Sequence, residues 1–420
     1  MKLLLISPGI DNEESRFVAE ANKLRMITPM LALPYLAALT PPDIEVKIID
    51  EQHGLISHFE DADLVGITGM TMQANRMYKI ADIYRSRNIP VVLGGIHVTF
   101  LPEEASKHAD SIVIGEGDEI WPVLMEDFKR GELKPVYRCI NPPSLENLPF
   151  PRLDLIDGPS YRMPHGSLNS VMATRGCPNN CSFCCVTKMF GRGFRTRPVQ
   201  HVIDEIMRMN NDPILFADDN LIGNRNYAME LFKAVRPLNK VWGGQVSMKI
   251  AHDEELLKLA VESGCKSLFI GFESIDEENI ILINKKNVNT VEGYSEAIKK
   301  LHDRGVHVYG SFIIGLDNDD ESIFEKMYNF IEKNEIEFPL VGVLTPLPGT
   351  ELFKQFESEG RIIDYNWNKY NFCQVVYKPK KMSADKLKNG YDMLARAIRR
   401  SGMRKQLGSQ QASRLEINAF

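Results

Sequence analysis

The chain has 420 residues, of which 44% are hydrophobic and 25% charged, with a net charge of -6. That length accommodates two or three domains with cores of their own. The composition is that of an ordinary soluble globular protein, and the acidic balance argues against nucleic acid as a partner. The opening MKLLLISPGI offers four consecutive apolar residues before Ser7 and Pro8, too few for the apolar region of a signal peptide. No run approaches the roughly 18 apolar residues of a membrane span. A cytoplasmic, reducing location is expected, where clustered cysteines bind metal or do redox chemistry more often than they form structural disulfides.

From the N-terminus, short unalternating apolar runs recur at Leu3 to Ile6, Val46 to Ile49, Leu64 to Thr68, Val91 to Leu93 and Ile112 to Ile114. Such runs read as strands buried on both faces of a parallel sheet, and amphipathic segments such as Ala74 to Arg85 supply the crossovers of a doubly wound α/β domain. Ligands of such sheets sit beyond the carboxyl ends of the strands. Those ends carry Gly69-Met70-Thr71-Met72, Gly94-Gly95-Ile96-His97 and Gly115-Glu116-Gly117. Two readings stay open: glycines that let backbone approach a bulky ligand, or glycines that only make tight turns.

Between 136 and 165 the periodicity fails and prolines accumulate at 142, 143, 149, 151, 159 and 164, as in a stiff linker. A second alternating series follows, with strands expected at Leu168 to Thr174, Pro213 to Ala217, Val241 to Ser247, Ser267 to Gly271, Val306 to Ile314 and Leu340 to Leu344. Helices fall between them, for example Val199 to Met209, Glu254 to Ser263 and Ile323 to Lys333. This pattern predicts a partial barrel of parallel strands with its site at the strands' carboxyl ends. The remaining tail holds one clear helix, opened by Ser383 as N-cap, with Leu387, Tyr391, Leu394 and Ile398 on one face.

The stretch CPNNCSFCC, after the first strand of the second series, holds four of the seven cysteines: Cys177, Cys181, Cys184 and Cys185. A tetrahedral zinc site needs four ligands, usually in two separated pairs, and Cys139, Cys265 and Cys373 are isolated. Three ligands spaced x3 then x2 suit a four-iron four-sulfur cluster whose fourth iron stays open. Cys185, next to Cys184, is poorly placed to reach the same cluster and is expected to be a small buried residue.

The spacing Cys177-x3-Cys181-x2-Cys184, with Phe183 before the last cysteine and a barrel strand before the first, resembles the radical S-adenosylmethionine superfamily. That resemblance implies a 4Fe-4S cluster whose open iron chelates S-adenosyl-L-methionine, and reductive cleavage to a 5'-deoxyadenosyl radical that abstracts hydrogen from unactivated carbon. The reaction needs a low cluster potential, hence a reductant such as a flavodoxin or ferredoxin. By the same resemblance Asp218, in Asp218-Asp219-Asn220, would meet the amino group of the cofactor. Gln245, Ser247, Glu273 and Ser274 would hold its ribose or methionyl part, and the segment Gly310 to Gly315 its adenine. For each polar residue a capping or turn role competes.

An N-terminal doubly wound domain followed by a proline-rich linker resembles the cobalamin-binding branch of that superfamily. The residues that carry the likeness are Gly94 to Glu104, Ile114 to Glu119, Gly271 to Ser274 and Pro346 to Thr350, and the likeness runs from residue 1 to about 400. The cobalamin is then expected against Gly69, Thr71, Met72, Gln73, Gly94, Gly95, His97, Thr99, Gly115, Glu116 and Gly117. No Asp-x-His-x-x-Gly motif is present to ligate cobalt; Asp50-Glu51-Gln52-His53-Gly54 has the wrong spacing. Absence of that ligand is usual in this branch, and the loop Met70-Thr71-Met72-Gln73 would meet the lower face. The expected division is 1–135 cobalamin-binding domain, 136–165 linker, 166–350 radical (β/α)6 core and 351–420 helical extension.

The activity implied is methylation of an unactivated carbon by a cobalamin-dependent radical enzyme. Thr187 to Arg192 and the tail look most like enzymes acting on hopanoid-type lipids or bacteriochlorophyll side chains, so the expected substrate is a hydrophobic small molecule. Rivals are a cyclase or rearrangement enzyme with the same cofactors, which would form no S-adenosylhomocysteine, and a non-enzymatic iron-sulfur or cobalamin-binding protein. Methylthio transfer to RNA is disfavoured, because residues 1 to 130 contain none of that family's further cysteines. The basic residues Arg396, Arg399, Arg400, Arg404 and Lys405 suit either peripheral contact with anionic lipid headgroups or a solvated face on a docked helix.

Overall fold

The computed structural model describes residues 1–10, 30–51, 56, 59–156, 162–163, 166–210 and 212–412, with backbone alone at 162–163, 166–167 and 403–412. His53, Gly54, Pro159, Pro164 and the side chains of Arg404 and Lys405 lie outside the described residues.

The first sheet contains β1 (Lys2–Ser7), β2 (Glu45–Asp50), β3 (Leu64–Thr68), β4 (Val91–Gly94), β5 (Ser111–Ile114) and β6 (Val136–Arg138). Its order is β2-β1-β3-β4-β5-β6, parallel throughout. The apolar runs divide by parity. Leu4, Ile6, Val65, Ile67, Leu93 and Ile112 pack on one face, and Leu3, Leu5, Leu64, Val92 and Val113 on the other. Both faces of β1, β3, β4 and β5 are therefore buried, which is why those strands show no polar alternation, whereas the edge strand β2 alternates, with Glu45 and Lys47 exposed. Strand order reverses between β1 and β3, so the loops after β3, β4 and β5 line the edge where such sheets bind ligands.

β6 lies where the linker was expected to begin. Val136–Arg138 pairs with β5 although Val136 and Arg138 are exposed, so the sheet outruns the predicted boundary at 135. An edge strand of three residues with one buried side chain leaves almost no apolar pattern to read.

Two short ladders follow: β7 (Arg162–Met163) with β8 (Gly166–Ser167), and β10 (Thr174–Arg175) with β11 (Arg195–Thr196). The second sheet runs β16-β15-β14-β13-β12-β9, again parallel, from β9 (Asn169–Val171), β12 (Ile214–Phe216), β13 (Trp242–Val246), β14 (Cys265–Glu273), β15 (His307–Ile314) and β16 (Phe338–Val343). This is the open six-stranded barrel that the sequence predicts. In β15, Val308, Gly310, Phe312 and Ile314 are buried while the alternate residues are half-exposed. The buried set faces the helices and the half-exposed set lines the concave face, along with exposed Gln245 of the central strand β13.

The tail departs most from expectation. Besides the helix Ala384–Ala412, capped by Lys386 N–H donating to Ser383 Oγ at 3.2 Å, it forms a helix at Glu351–Ser358 and a strap that crosses both domains. Trp367, Tyr370 and Val376 join the core of the first sheet, while Cys373, Tyr377, Leu387, Tyr391 and Leu394 join that of the barrel. Trp367 Nε1 donates to Glu104 at 2.8 Å, and its ring meets the edge of His97. Arg396, Arg399 and Arg400 are exposed. Trp367→Ala removes a buried ring from a core it shares with the first domain. We expect it to cost about 3–5 kcal/mol, read as a lower urea midpoint with the first domain loosened first.

Candidate functional site at the strand ends

The cysteine loop is held at both ends and in the middle. Ser182 N donates to Ile283 O at 3.1 Å, Leu352 N to Ser182 O at 3.0 Å, and Asn284 Nδ2 to Asn180 O at 2.7 Å. Gly176, with φ +92°, makes the bend into the loop, and its N–H donates to Asp219 at 3.3 Å. Cys177, Cys181 and Cys184 are half-buried free thiols. Burial pushes the Cys181 thiol up to about 11 and raises those of Cys177 and Cys184. Thiols so placed stay protonated until a cation compensates them, as ligation to iron would. Among the described residues no three His, Cys, Asp or Glu side chains converge tightly enough for a single metal ion. Ligands to a cluster bind separate irons and need no such convergence, so the donor set fits a three-thiolate cluster.

Cys185 is half-buried, not enclosed as expected. It caps the helix Val186–Phe190, its carbonyl accepting from Lys188 and Met189 N–H at 3.1 and 2.9 Å, so backbone geometry decides its place. Phe183 packs against the barrel core.

Asp218 turns away from the loop. It is 3% exposed and accepts from Ala173 N at 3.2 Å, Thr174 Oγ1 at 2.6 Å and Thr174 N, and burial raises its carboxyl to about 7. It ties β9 to β12, with no face left for a ligand. Its neighbour Asp219, half-exposed and bonded to Gly176, faces the cysteines instead. Asn220 reaches Cys177 Sγ at 3.9 Å and accepts from Ser247 N at 3.2 Å. Ser274 is 1% exposed and accepts from Asp276 N, so it serves the turn. Gly315, with φ +88°, is covered by Tyr377 and Leu387 of the tail, and its N–H donates to Asp319. Packing of the tail accounts for this glycine.

Glu273 ends β14 with φ +65°, at a register shift between Gly271 and Glu273. A non-glycine residue in that region is strained, and strain of this kind concentrates at functional sites. Its carboxylate pairs with Lys285, which also donates to Gly271 O at 3.0 Å and is 8% exposed. Burial alone would lower the Lys285 ammonium, but Glu273 and the thiols of Cys181 and Cys184 hold it above its ordinary value. The sequence reading missed Lys285, because a lysine in an Asn-Lys-Lys turn reads as solvated.

In the first domain, Met70, Gly94, Gly95, Thr99, Gly115 and Gly117 are half-exposed and form an open lip at the ends of β3, β4 and β5. Thr99 stitches it, accepting from Gly115 N at 3.0 Å and donating to Gly95 O at 2.9 Å. Gly69, Thr71, Met72 and Gln73 are closed off: the Gln73 amide binds Met70 N and Pro8 O. His97 is fully enclosed, its ring nitrogens near Thr71 Oγ1 (3.3 Å), Tyr78 OH (3.1 Å) and Glu104 (3.4 Å). It braces the lip from beneath and does not present itself to a ligand. Glu116 is likewise taken, by Arg175 and Arg195 of the barrel.

A doubly wound sheet domain that presents a glycine lip beside a three-cysteine loop on an open parallel barrel defines a two-site protein, with one site at the sheet's strand ends and one at the cysteine loop. Residues 171–331 match the Radical SAM superfamily and residues 21–124 the B12 binding domain. The bacteriochlorophyllide d C-12(1)-methyltransferase of Chlorobaculum tepidum is 32% identical over 94% of this chain and 87% of its own length. The C-8(2)-methyltransferase of the same organism is 33% identical over 83% and 80%. The solved radical S-adenosylmethionine methyltransferase TsrM from Kitasatospora setae, with cobalamin and a [4Fe-4S] cluster bound, shares the fold at TM-score 0.65 and 16% identity, over 85% of this chain and 75% of that one. The chain belongs to the cobalamin-binding radical S-adenosylmethionine enzymes. Its cofactors are a 4Fe-4S cluster, S-adenosylmethionine and cobalamin.

Glu273→Gly sets two effects against each other. It relieves about 1–2 kcal/mol of left-handed strain, yet it leaves Lys285 buried without its partner, at about 3–5 kcal/mol. Net destabilisation is expected in urea unfolding, and Lys285→Met, which strands Glu273, should destabilise as well.

Proposed function

We propose that this chain is a cobalamin-dependent radical C-methyltransferase acting on an unactivated carbon of a hydrophobic, tetrapyrrole-like or lipid-like substrate. The observation that carries the reading is the 32–33% identity to two bacteriochlorophyllide methyltransferases across both domains. When bound, the cofactors supply a reducible cluster, a source of adenosyl radical and a methyl carrier.

In this reading Cys177, Cys181 and Cys184 hold the cluster, and Asn220 and Lys285 offset the charge of their thiolates. Asp219 takes the amino group of S-adenosylmethionine in place of Asp218, because its carboxylate is the one turned to the loop. Gln245, Ser247 and Glu273 orient the remainder from the concave face. The cobalamin rests on the lip of Gly94, Gly95, Thr99, Gly115 and Gly117. Leu215, Phe269 and Ile313, half-exposed along the barrel strands, supply apolar wall for the substrate and exclude water from the radical. A low-potential flavodoxin or ferredoxin in the cytoplasm serves as reductant. Among the described residues no helix is long and apolar enough to cross a membrane.

Anaerobic reconstitution with iron, sulfide, hydroxocobalamin, S-adenosylmethionine and dithionite should yield 5'-deoxyadenosine. With bacteriochlorophyllide d as probe, a product heavier by one methyl group should appear beside S-adenosylhomocysteine. 5'-Deoxyadenosine without S-adenosylhomocysteine, on any apolar substrate that is turned over, would overturn methylation in favour of cyclisation or rearrangement. Cys177→Ala, Cys181→Ala and Cys184→Ala should each abolish bound iron and cleavage, while Cys185→Ala retains both.

A further inference from the structure

One buried charge cluster joins the sheet domain to the barrel. Arg175 Nη1 donates to Glu116 Oε2 at 2.6 Å and to Asp118 Oδ2 at 2.6 Å, and its Nη2 to Asp118 Oδ1 at 3.2 Å. Arg195 Nη2 donates to Glu116 Oε1 at 2.6 Å, and its Nη1 to Glu116 Oε2 at 3.1 Å and Pro143 O at 2.7 Å. The Glu116 side chain is 3% exposed and that of Arg175 11%. Two carboxylates meet two guanidiniums, so the cluster is neutral, and the Arg195–Glu116 pair is a two-pronged fork with directional bonds.

Its position matters more than its strength. Glu116 and Asp118 lie in the glycine-flanked loop after β5, at the lip of the sheet. Arg175 stands two residues before Cys177, and Arg195 is its partner in the ladder of β10 with β11. Pro143 brings the linker into the same cluster. Domains joined by a linker move relative to each other unless something fixes them, and misplacing reacting groups by about 1 Å costs roughly 10²-fold in rate.

We infer that Glu116 is a positioning residue that sets the distance between the sheet-domain lip and the cysteine loop, and through it the distance between the cobalamin and the cluster. This rests on the proposed placement of those two cofactors. The chain loaded with iron, sulfide and hydroxocobalamin is reduced to hold cob(II)alamin beside a reduced cluster, and their separation is read by pulsed electron paramagnetic resonance. Wild type should give one narrow distance distribution. Glu116→Gln, at equal iron and cobalamin content, should widen or shift it, and Arg195→Gln should do the same more weakly. A mere stability role predicts altered unfolding with an unaltered distance, and that result overturns the inference. Should Glu116→Gln misfold, Arg195→Gln decides the matter alone.

If wild type takes up no cobalamin or no iron, the functional reading fails, and the clamp is then read on the cofactor-free chain by hydrogen exchange. Glu116→Gln is expected to speed exchange at 115–118 and at 174–178 together, by about tenfold or more, with the strands of both sheets unchanged. Exchange that rises in one loop only, or in neither, overturns it.

Discussion

Everything in this molecule depends on holding two separately built sheets at one fixed separation, and the buried pairing of Glu116 and Asp118 with Arg175 and Arg195 is where that constraint acts. Each sheet pairs its own strands, but the apolar cores are not independent: Tyr35 of the first domain packs with Met172 of the barrel, and tail residues complete the first core. A charge cluster at the meeting point is costly to desolvate, and breaking one partner is costlier still, so it favours a single arrangement over many. It also lies one glycine away from the cysteine loop, so whatever moves the sheet domain moves the residue before Cys177.

The tail completes the same task from the other side. Trp367 and Tyr370 enter the first core while Tyr377 and Leu387 enter the barrel core. The strap therefore cannot follow one domain without straining against the other. His97 and Gly315, which read from the sequence as ligand contacts, are where that strap presses: His97 lies against Trp367, and Gly315 beneath Tyr377 and Leu387. Two positions that looked chemical are mechanical, and both serve to place the strand ends.

Much of the site was legible in the linear chain. The three-cysteine spacing, the barrel strand before it and the glycine lip could be read because ligand spacing and buried-strand runs are local in sequence. The residues that went astray did so for a common reason. Asp218 and Asp219 are adjacent and chemically identical, and only the pairing of β9 with β12 decides which carboxylate is used up on the backbone at 173 and 174. Glu116 looked like a lip residue until two arginines some 60 to 80 positions away, Arg175 and Arg195, were found to occupy it. Lys285 carried no signal, because its burial comes from a bulge in β14 and a turn packed on the cysteine loop.

Periodicity, cysteine spacing and glycine placement by themselves pointed to the two-domain parallel architecture and the cluster loop, since each is a pattern within about 20 residues, and the cofactor class followed from the family resemblance that those segments carry. Tertiary structure alone decided which carboxylates remain available, which glycines stay open rather than covered by a neighbouring side chain, and how the two domains are registered. Those outcomes depend on contacts between segments tens to hundreds of residues apart, where a charge meets its partner or a ring covers a backbone, and no local pattern encodes them.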